Sequence, residues 1–374
     1  MKLLDEIADI GRDPVSGGYV RYAWTEPELA LRDWFRDQAT QRGLALEDDG
    51  NGNIFAWWGS GPDAVLTGSH LDSVPHGGAY DGPLGVVSAL LAIDELRQRG
   101  VKPAKPIGIA VFAEEEGSRF GLACLGSRLL TGAVAPDQVD LQGVFEPVGR
   151  RQDILDRIGC FVELHIEQGR ALQRPVGVAS AIWPHGRWRL DFAGEPNHAG
   201  TTQMGDRRDP MLTFAFTVLA ANKEARLRHA HATIGRVQVA PNATNAIPSS
   251  VRAWLDARAP SPEIVDELVE ALRAKASERA SRDGTTVTMT AESITPAIEF
   301  HIGLRDRLAR LLDAPILPTG AGHDAGVLSA YVPTAMLFVR NPTGVSHSPL
   351  EYAADEDCEA GVTALADVLQ DLTC

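Results

Sequence analysis

The chain has 374 residues, more than one hydrophobic core usually serves, so two domains are expected. Its composition, 44% hydrophobic and 23% charged without biased tracts, is that of a globular protein, and a net charge of −15 with no basic block excludes nucleic acid and anionic membranes as partners. No apolar run reaches the roughly 18 residues of a membrane span, and MKLLDEIADIGRD carries acids where a secretory signal carries bases, so a cytoplasmic protein is expected.

From the amino end, ELALRDWFRDQATQRG reads as an amphipathic helix and NIFAWWG as a strand. AVLTGSH is a short buried strand, and PLGVVSALLAIDELRQRG is a helix that stops at Gly100. PIGIAVFAEEE reads as a strand, residues 122–131 as a helix and CFVELHIEQG as a strand. This alternation implies a mostly parallel sheet covered on both faces, whose carboxyl edge binds ligands. The middle of the chain changes character. GRWRLDFAG, TIGRVQVAP, SSVRAWLDAR and TVTMTAES are strands, and DPMLTFAFTVLAANKEARL and SPEIVDELVEALRAKASERASRDG are helices, in the β-α-β-β-α-β order of a ferredoxin-like domain. ILPTG, TAMLFV and DEDCEAGVTALADVLQDL then resume the first pattern. The expected architecture is an α/β catalytic domain, residues 1–183 and 294–374, interrupted by an inserted domain over 184–293. The four cysteines show no CxxC pairing and are expected to be buried free thiols.

Polar chemistry gathers where the apolar strands end. GSHLDSVPHGGAYDGPLG supplies His70, Asp72 and Asp81; three acids, Glu114, Glu115 and Glu116, follow IGIAVFA. ELHIEQG supplies His165 and Gln168, NHAGTT His198, GAGHDAG His323, and GVSHSPLEY His347. Taken singly, each has an ordinary reading: a turn aspartate, a solvated acidic loop, a hydrogen-bonded core histidine. Together they form a set of imidazoles and carboxylates that suits Zn²⁺, Mn²⁺, Co²⁺ or Ni²⁺ rather than a thiolate site. Two ions sharing a carboxylate would use that many ligands.

In this order the segments GSHLDSVPHGGAYDGPLGV, EEEGSRFG, ELHIEQG, NHAGTT, PNATNAIP, GAGHDA and GVSHSPLE resemble the M20 family of binuclear metallohydrolases, over about residues 12–352. More narrowly they resemble its carbamoyl and ureido branch: N-carbamoyl-L-amino acid hydrolases, allantoate amidohydrolases and β-ureidopropionase. The resemblance implies two divalent metal ions, His70 and His165 holding one, Glu116 and His347 the other, and Asp81 bridging. It places Glu115 as general base and Glu114 as a bystander, with Asp72 orienting His70. His198 would stabilise the oxyanion, Arg258 and Asn245 would grip the substrate carboxylate, and Gln168 and His323 would stand on the substrate side. His165, where the peptidases of the family carry glutamate, points to the carbamoyl branch. The inserted domain would serve as lid and dimerisation domain, giving a homodimer.

Two departures stand out. Gln203 replaces the usual proline after NHAGTT, which would leave that loop less rigid, and the stretch from Glu116 to His165 is shorter than the branch's. The expected reaction is hydrolysis of the carbamoyl C–N bond of an N-carbamoyl L-amino acid to amino acid, ammonia and CO2. The alternatives are an allantoate amidohydrolase, an M20 aminoacylase or peptidase, and an inactive binding protein of the same fold.

Overall fold

A computed structural model describes residues 2–374. It contains two compact units, one running to residue 182 and resuming at 299, the other spanning Trp183–Ile298.

The large unit is built on a sheet of β1 (Ala45–Asp48), β2 (Ile54–Trp58), β3 (Ala64–His70), β4 (Ile107–Phe112), β5 (Ile158–Ile166) and β6 (Val176–Ile182), joined by strands Ile316–Thr319 and Thr334–Val339. The order is β1-β2-β4-β3-β5, then Thr334–Val339, then β6, which also pairs with Ile316–Thr319. The centre, β4-β3-β5 and Thr334–Val339, is parallel. β1, β2 and β6 join antiparallel. Every residue of β3, β4 and Thr334–Val339 is buried, the pattern of strands covered on both faces. Helix Pro83–Gln98 packs on β3 and β5 and against helix Asp355–Thr373. It lies between sheet and outer helix, which is why it is apolar nearly all round. Beyond β6 the chain leaves this unit; where it returns, Phe300 donates its amide to Ser180 O at 3.2 Å.

The small unit contains β7 (His185–Ala193), β8 (Asn197–His198), β9 (His231–Ala240), β10 (Ala246–Ile247), β11 (Ser250–Arg258) and β12 (Thr286–Thr295). Its main sheet, β12-β7-β11-β9, is antiparallel and carries helices Pro210–Leu227 and Pro262–Asp283. Asp209 and Ser261 cap those helices by accepting the amides of Met211 and Ile264. Leu190, Phe192, Leu255, Leu268 and Leu272 form the core between helices and sheet.

The structure differs from the sequence reading in places. β12 runs to Thr295, past the boundary expected at 293. β1, β6 and helix Ile302–Leu311 were not expected. The thiols are free, but only Cys124 and Cys358 are buried; Cys160 is half-buried and Cys374 exposed. Among the described residues, no helix is long and apolar enough to cross a membrane.

Candidate active site

The five candidate ligands lie at or just beyond the ends of four neighbouring parallel strands. β3 stops at His70, and Asp81 follows in the turn before helix Pro83–Gln98. Gly82 has φ +85°, and a Cβ there would lie 2.5 Å from the His70 ring, so glycine alone lets this turn close over the imidazole. β4 stops at Phe112, earlier than the sequence suggested, because Glu114 at φ +53° turns the three acids out of the strand. β5 carries His165, and the loop beyond Thr334–Val339 carries His347 at φ +54°.

Asp81 is common to two clusters, each with one candidate ligand atom per residue and all such atoms within 4.8 Å: His70, Asp81 and His165, and Asp81, Glu116 and His347. Its Oδ1 lies 3.1 Å from His165 Nε2 and 3.4 Å from His70 Nε2; its Oδ2 lies 3.4 Å from His347 Nε2, which is 3.5 Å from Glu116 Oε2. One carboxylate thus turns an oxygen to each cluster.

The ring nitrogens show what each cluster lacks. His70 Nδ1 contacts Asp72 O at 3.1 Å and His165 Nδ1 contacts Ile166 O at 2.8 Å. A carbonyl only accepts, so each Nδ1 donates and each neutral Nε2 turns a lone pair toward Asp81. Both Nε2 atoms, and Glu116 Oε1, are buried without a hydrogen-bond partner among the described residues. Lone pairs and a carboxylate crowded together out of water require a cation. The residues therefore fit divalent ions.

With protons as the only cations, the shifts follow the same logic. Burial opposes charge on His70, yet Glu115, Asp72 and Asp81 hold its pKa well above the usual imidazole range. Burial would raise Asp81, but the imidazoles of His165, His347 and His70 beside it, once protonated, hold it well below the carboxylate range. Burial, then the Asp81 charge, pushes Glu116 up to about 7, while the hydrogen bond with Asp81 lifts His347 to about 9.

Glu115 is buried, with Oε2 3.8 Å from His70 Nε2 and Oε1 accepting the Cys124 thiol at 3.4 Å. Burial drives its pKa well up, and Glu116, Asp324 and Asp81 add to this against His70. Asp72 was expected to orient His70 through its carboxylate. Its Oδ1 lies 3.5 Å from His70 Nδ1 and its backbone carbonyl is nearer, at 3.1 Å, while Oδ1 and Oδ2 accept the amides of Glu115 and Glu116, both at 3.1 Å. Glu114 belongs to neither cluster; its Oε1 accepts the amides of Arg119 (2.8 Å) and Phe120 (2.7 Å) and shapes the loop beyond the acids.

Gln168, expected on the substrate side, donates Nε2 to Asp81 Oδ2 at 2.6 Å. His323 is buried, its ring centroid 4.5 Å from that of His165; burial, then the His165 charge, holds its pKa well down, so it is neutral. Sequence reasoning missed Glu163, which accepts Ser69 Oγ and the Ala325 amide, and gave no role to Asp324 of GAGHDAG, which accepts Ser127 Oγ. Glu163 stands two positions before the expected ligand His165, and Asp324 directly after the expected substrate-side His323, which was a usable signal.

His198, Asn245 and Arg258 belong to the small unit. β8 and β10 pair His198 with Ala246, and Asn245 O accepts the Ala199 amide at 3.0 Å. His198 Nδ1 accepts the Gly200 amide at 3.0 Å, which leaves the proton of a neutral ring on Nε2. Arg207 donates to Ala199 O and Thr202 O, restraining the loop that Gln203 was expected to loosen. The Arg258 fork meets Asp256, at 2.8 and 3.1 Å.

The sequence profile described as peptidase family M20/M25/M40 matches residues 66–371. An N-carbamoyl-L-amino acid amidohydrolase of Geobacillus stearothermophilus is 35% identical, over 97% of this chain and 95% of the relative. An allantoate amidohydrolase of Escherichia coli (strain K12) is 32% identical, over 98% and 95%. A hydantoinase/carbamoylase family amidase from Burkholderia vietnamiensis superposes with a TM-score of 0.88 at 29% identity, covering 100% of this chain and 96% of the other.

Proposed function

Because the chain belongs to peptidase family M20/M25/M40 and is a hydrolase of C–N amide bonds of the carbamoylase and allantoate amidohydrolase type, we propose that it acts on an N-carbamoyl L-amino acid, giving amino acid, ammonia and CO2. The reading that His70 and His165, and Glu116 and His347, hold two ions about Asp81 is carried by one observation: the two carboxylate oxygens face separate ligand pairs. The all-N/O donor set suits Zn²⁺, Mn²⁺, Co²⁺ or Ni²⁺. Such ions, when bound, activate water and polarise a carbonyl.

The remaining steps fall to the chain. Glu115, a buried carboxylate with Oε2 3.8 Å from His70 Nε2, takes the proton of the attacking water and returns it to the leaving nitrogen. Asp72, on the amides of Glu115 and Glu116, fixes where those carboxylates begin. His198 presents an Nε2–H of the kind that stabilises a developing oxyanion. Arg258, with Asn245, takes the role of gripping the substrate carboxylate, its planar fork matching the two oxygens. His323 lines the substrate side as a neutral group.

An ammonia-release assay after loading with Mn²⁺, Co²⁺ or Zn²⁺ tests the substrate. Turnover is expected with N-carbamoyl L-amino acids and not with their carboxylate-blocked amides. Release from allantoate alone would favour the second reading, which full-length similarity to an allantoate amidohydrolase supports; hydrolysis of N-acetyl amino acids alone, read as free amino acid because it yields acetate and no ammonia, would overturn both.

Loading should also release protons. Near pH 7 the metal-free chain carries a proton on His347, raised to about 9, and part of one on Glu116, raised to about 7. Ions must displace them, so affinity should fall as pH drops through this range and rise with pH. Calorimetry in buffers of different ionisation enthalpy measures this; no proton release would remove these residues as ligands.

A homodimer is part of the proposal. Leu212, Phe216 and Leu219 form an exposed apolar row on one face of helix Pro210–Leu227 that a second copy would cover. Light scattering is expected to return about twice 40.1 kDa, and the single-chain mass would reject the dimer.

A further inference from the structure

We propose that Glu351 is a positioning residue that ties the Asp81 turn to the His347 loop, so that the two cation positions form together; this rests on Asp81 and His347 being ligands. Glu351 is buried, and its Oε1 accepts two consecutive backbone amides, those of Tyr80 (2.9 Å) and Asp81 (3.0 Å). The approach is close: a Cβ on Gly78 would lie 2.3 Å from that oxygen. Glu351 therefore sets the backbone from which the shared carboxylate projects.

The same residue ends the loop that carries His347. Its own amide donates to Ser348 O at 3.0 Å, closing a tight turn just beyond the histidine. At the other end of the loop, buried Asn341 accepts the amides of Thr343 and Gly344 and donates to Val345 O. His347, with φ +54°, is held in the left-handed region between these two anchors. The anchor at Asn341 stays within its own loop, whereas Glu351 joins two segments 270 residues apart in sequence. One oxygen that accepts two consecutive amides fixes that backbone at a single point, which suits a joint that must hold a ligand in place.

The test compares the full-length parent with Glu351→Ala, Glu351→Asp and Glu351→Gln, first metal-stripped and then titrated with Co²⁺. Hydrogen exchange over residues 78–82 is expected to quicken in Glu351→Ala and in Glu351→Asp, which keeps the charge but withdraws the oxygen. Glu351→Gln, which keeps an acceptor of the same reach, should stay close to the parent. Exchange unchanged in both the alanine and aspartate variants overturns the joint whatever the metal result. Equilibrium dialysis and the visible absorption of bound Co²⁺ should show both positions weakened by about 10–100-fold in Glu351→Ala and restored in Glu351→Gln. Weakening of one position alone, or none, overturns the claim that they form together. A parent chain that takes up no Co²⁺ overturns the ligand reading underneath, a failure separate from that of the joint.

Discussion

Replacing Asp81 with alanine should abolish hydrolysis and weaken both cation positions at once. Loss of a partner that merely supports a metal ligand costs about 10–100-fold in affinity, and removal of a shared ligand should cost more than that upper figure. The geometry gives the reason. Asp81 Oδ1 faces His70 and His165 while Oδ2 faces His347, so one truncation leaves three imidazole nitrogens without their common anion. Gln168 donates to the same carboxylate and would lose its acceptor too. Elemental analysis after dialysis and an ammonia assay at saturating Co²⁺ measure the two losses. Turnover within tenfold of the parent would contradict the shared-ligand arrangement, and loss of a single ion would limit Asp81 to one side.

Glu115→Gln should separate chemistry from binding. The amide has nearly the carboxylate's shape, so the backbone contact with Asp72 and the contact with Cys124 can persist. What disappears is the capacity to accept the water's proton. General acid–base groups contribute about 10²–10⁴ in rate, so kcat should fall by that factor, about 3–5 kcal/mol of barrier, while metal content and KM stay near the parent's. Full activity would dismiss Glu115 as the base. A fall in bound metal that parallels the fall in kcat would instead make it a ligand.

How far the sequence could be read depended on how local each signal was. The strands that end at the site were legible because burial on both faces makes them unbroken apolar runs: AVLTGSH and TAMLFV match β3 and Thr334–Val339 residue for residue. β1, with the sequence ALED and mostly exposed, carries no such signal, and Gly177 and Ser180 dilute it in β6. Helix Ile302–Leu311 buries Leu304 and Leu308, a spacing of four that was present but lies among charges. In the site, residue types and order revealed the candidate ligands, whereas their supports depend on backbone geometry. That Asp72 holds His70 by a carbonyl, and that Glu114 accepts amides five and six positions on, follows from turns that composition does not encode. Glu351 stood inside a quoted motif, yet its partners lie some 270 residues away, beyond the reach of any local pattern.

The hydrogen bond from Phe300 to Ser180 shows that the chain quits the large unit and comes back at neighbouring points. Residues 183–298 are thus a graft between neighbouring points of the chain, and the strand order from β1 to Thr334–Val339 contains no strand from them. All five candidate ligands are encoded outside that graft. A shortened gene with a brief turn in its place would ask the large unit to trap ions by itself, apart from whatever the graft brings to substrate choice; metal uptake by the shortened protein would answer directly.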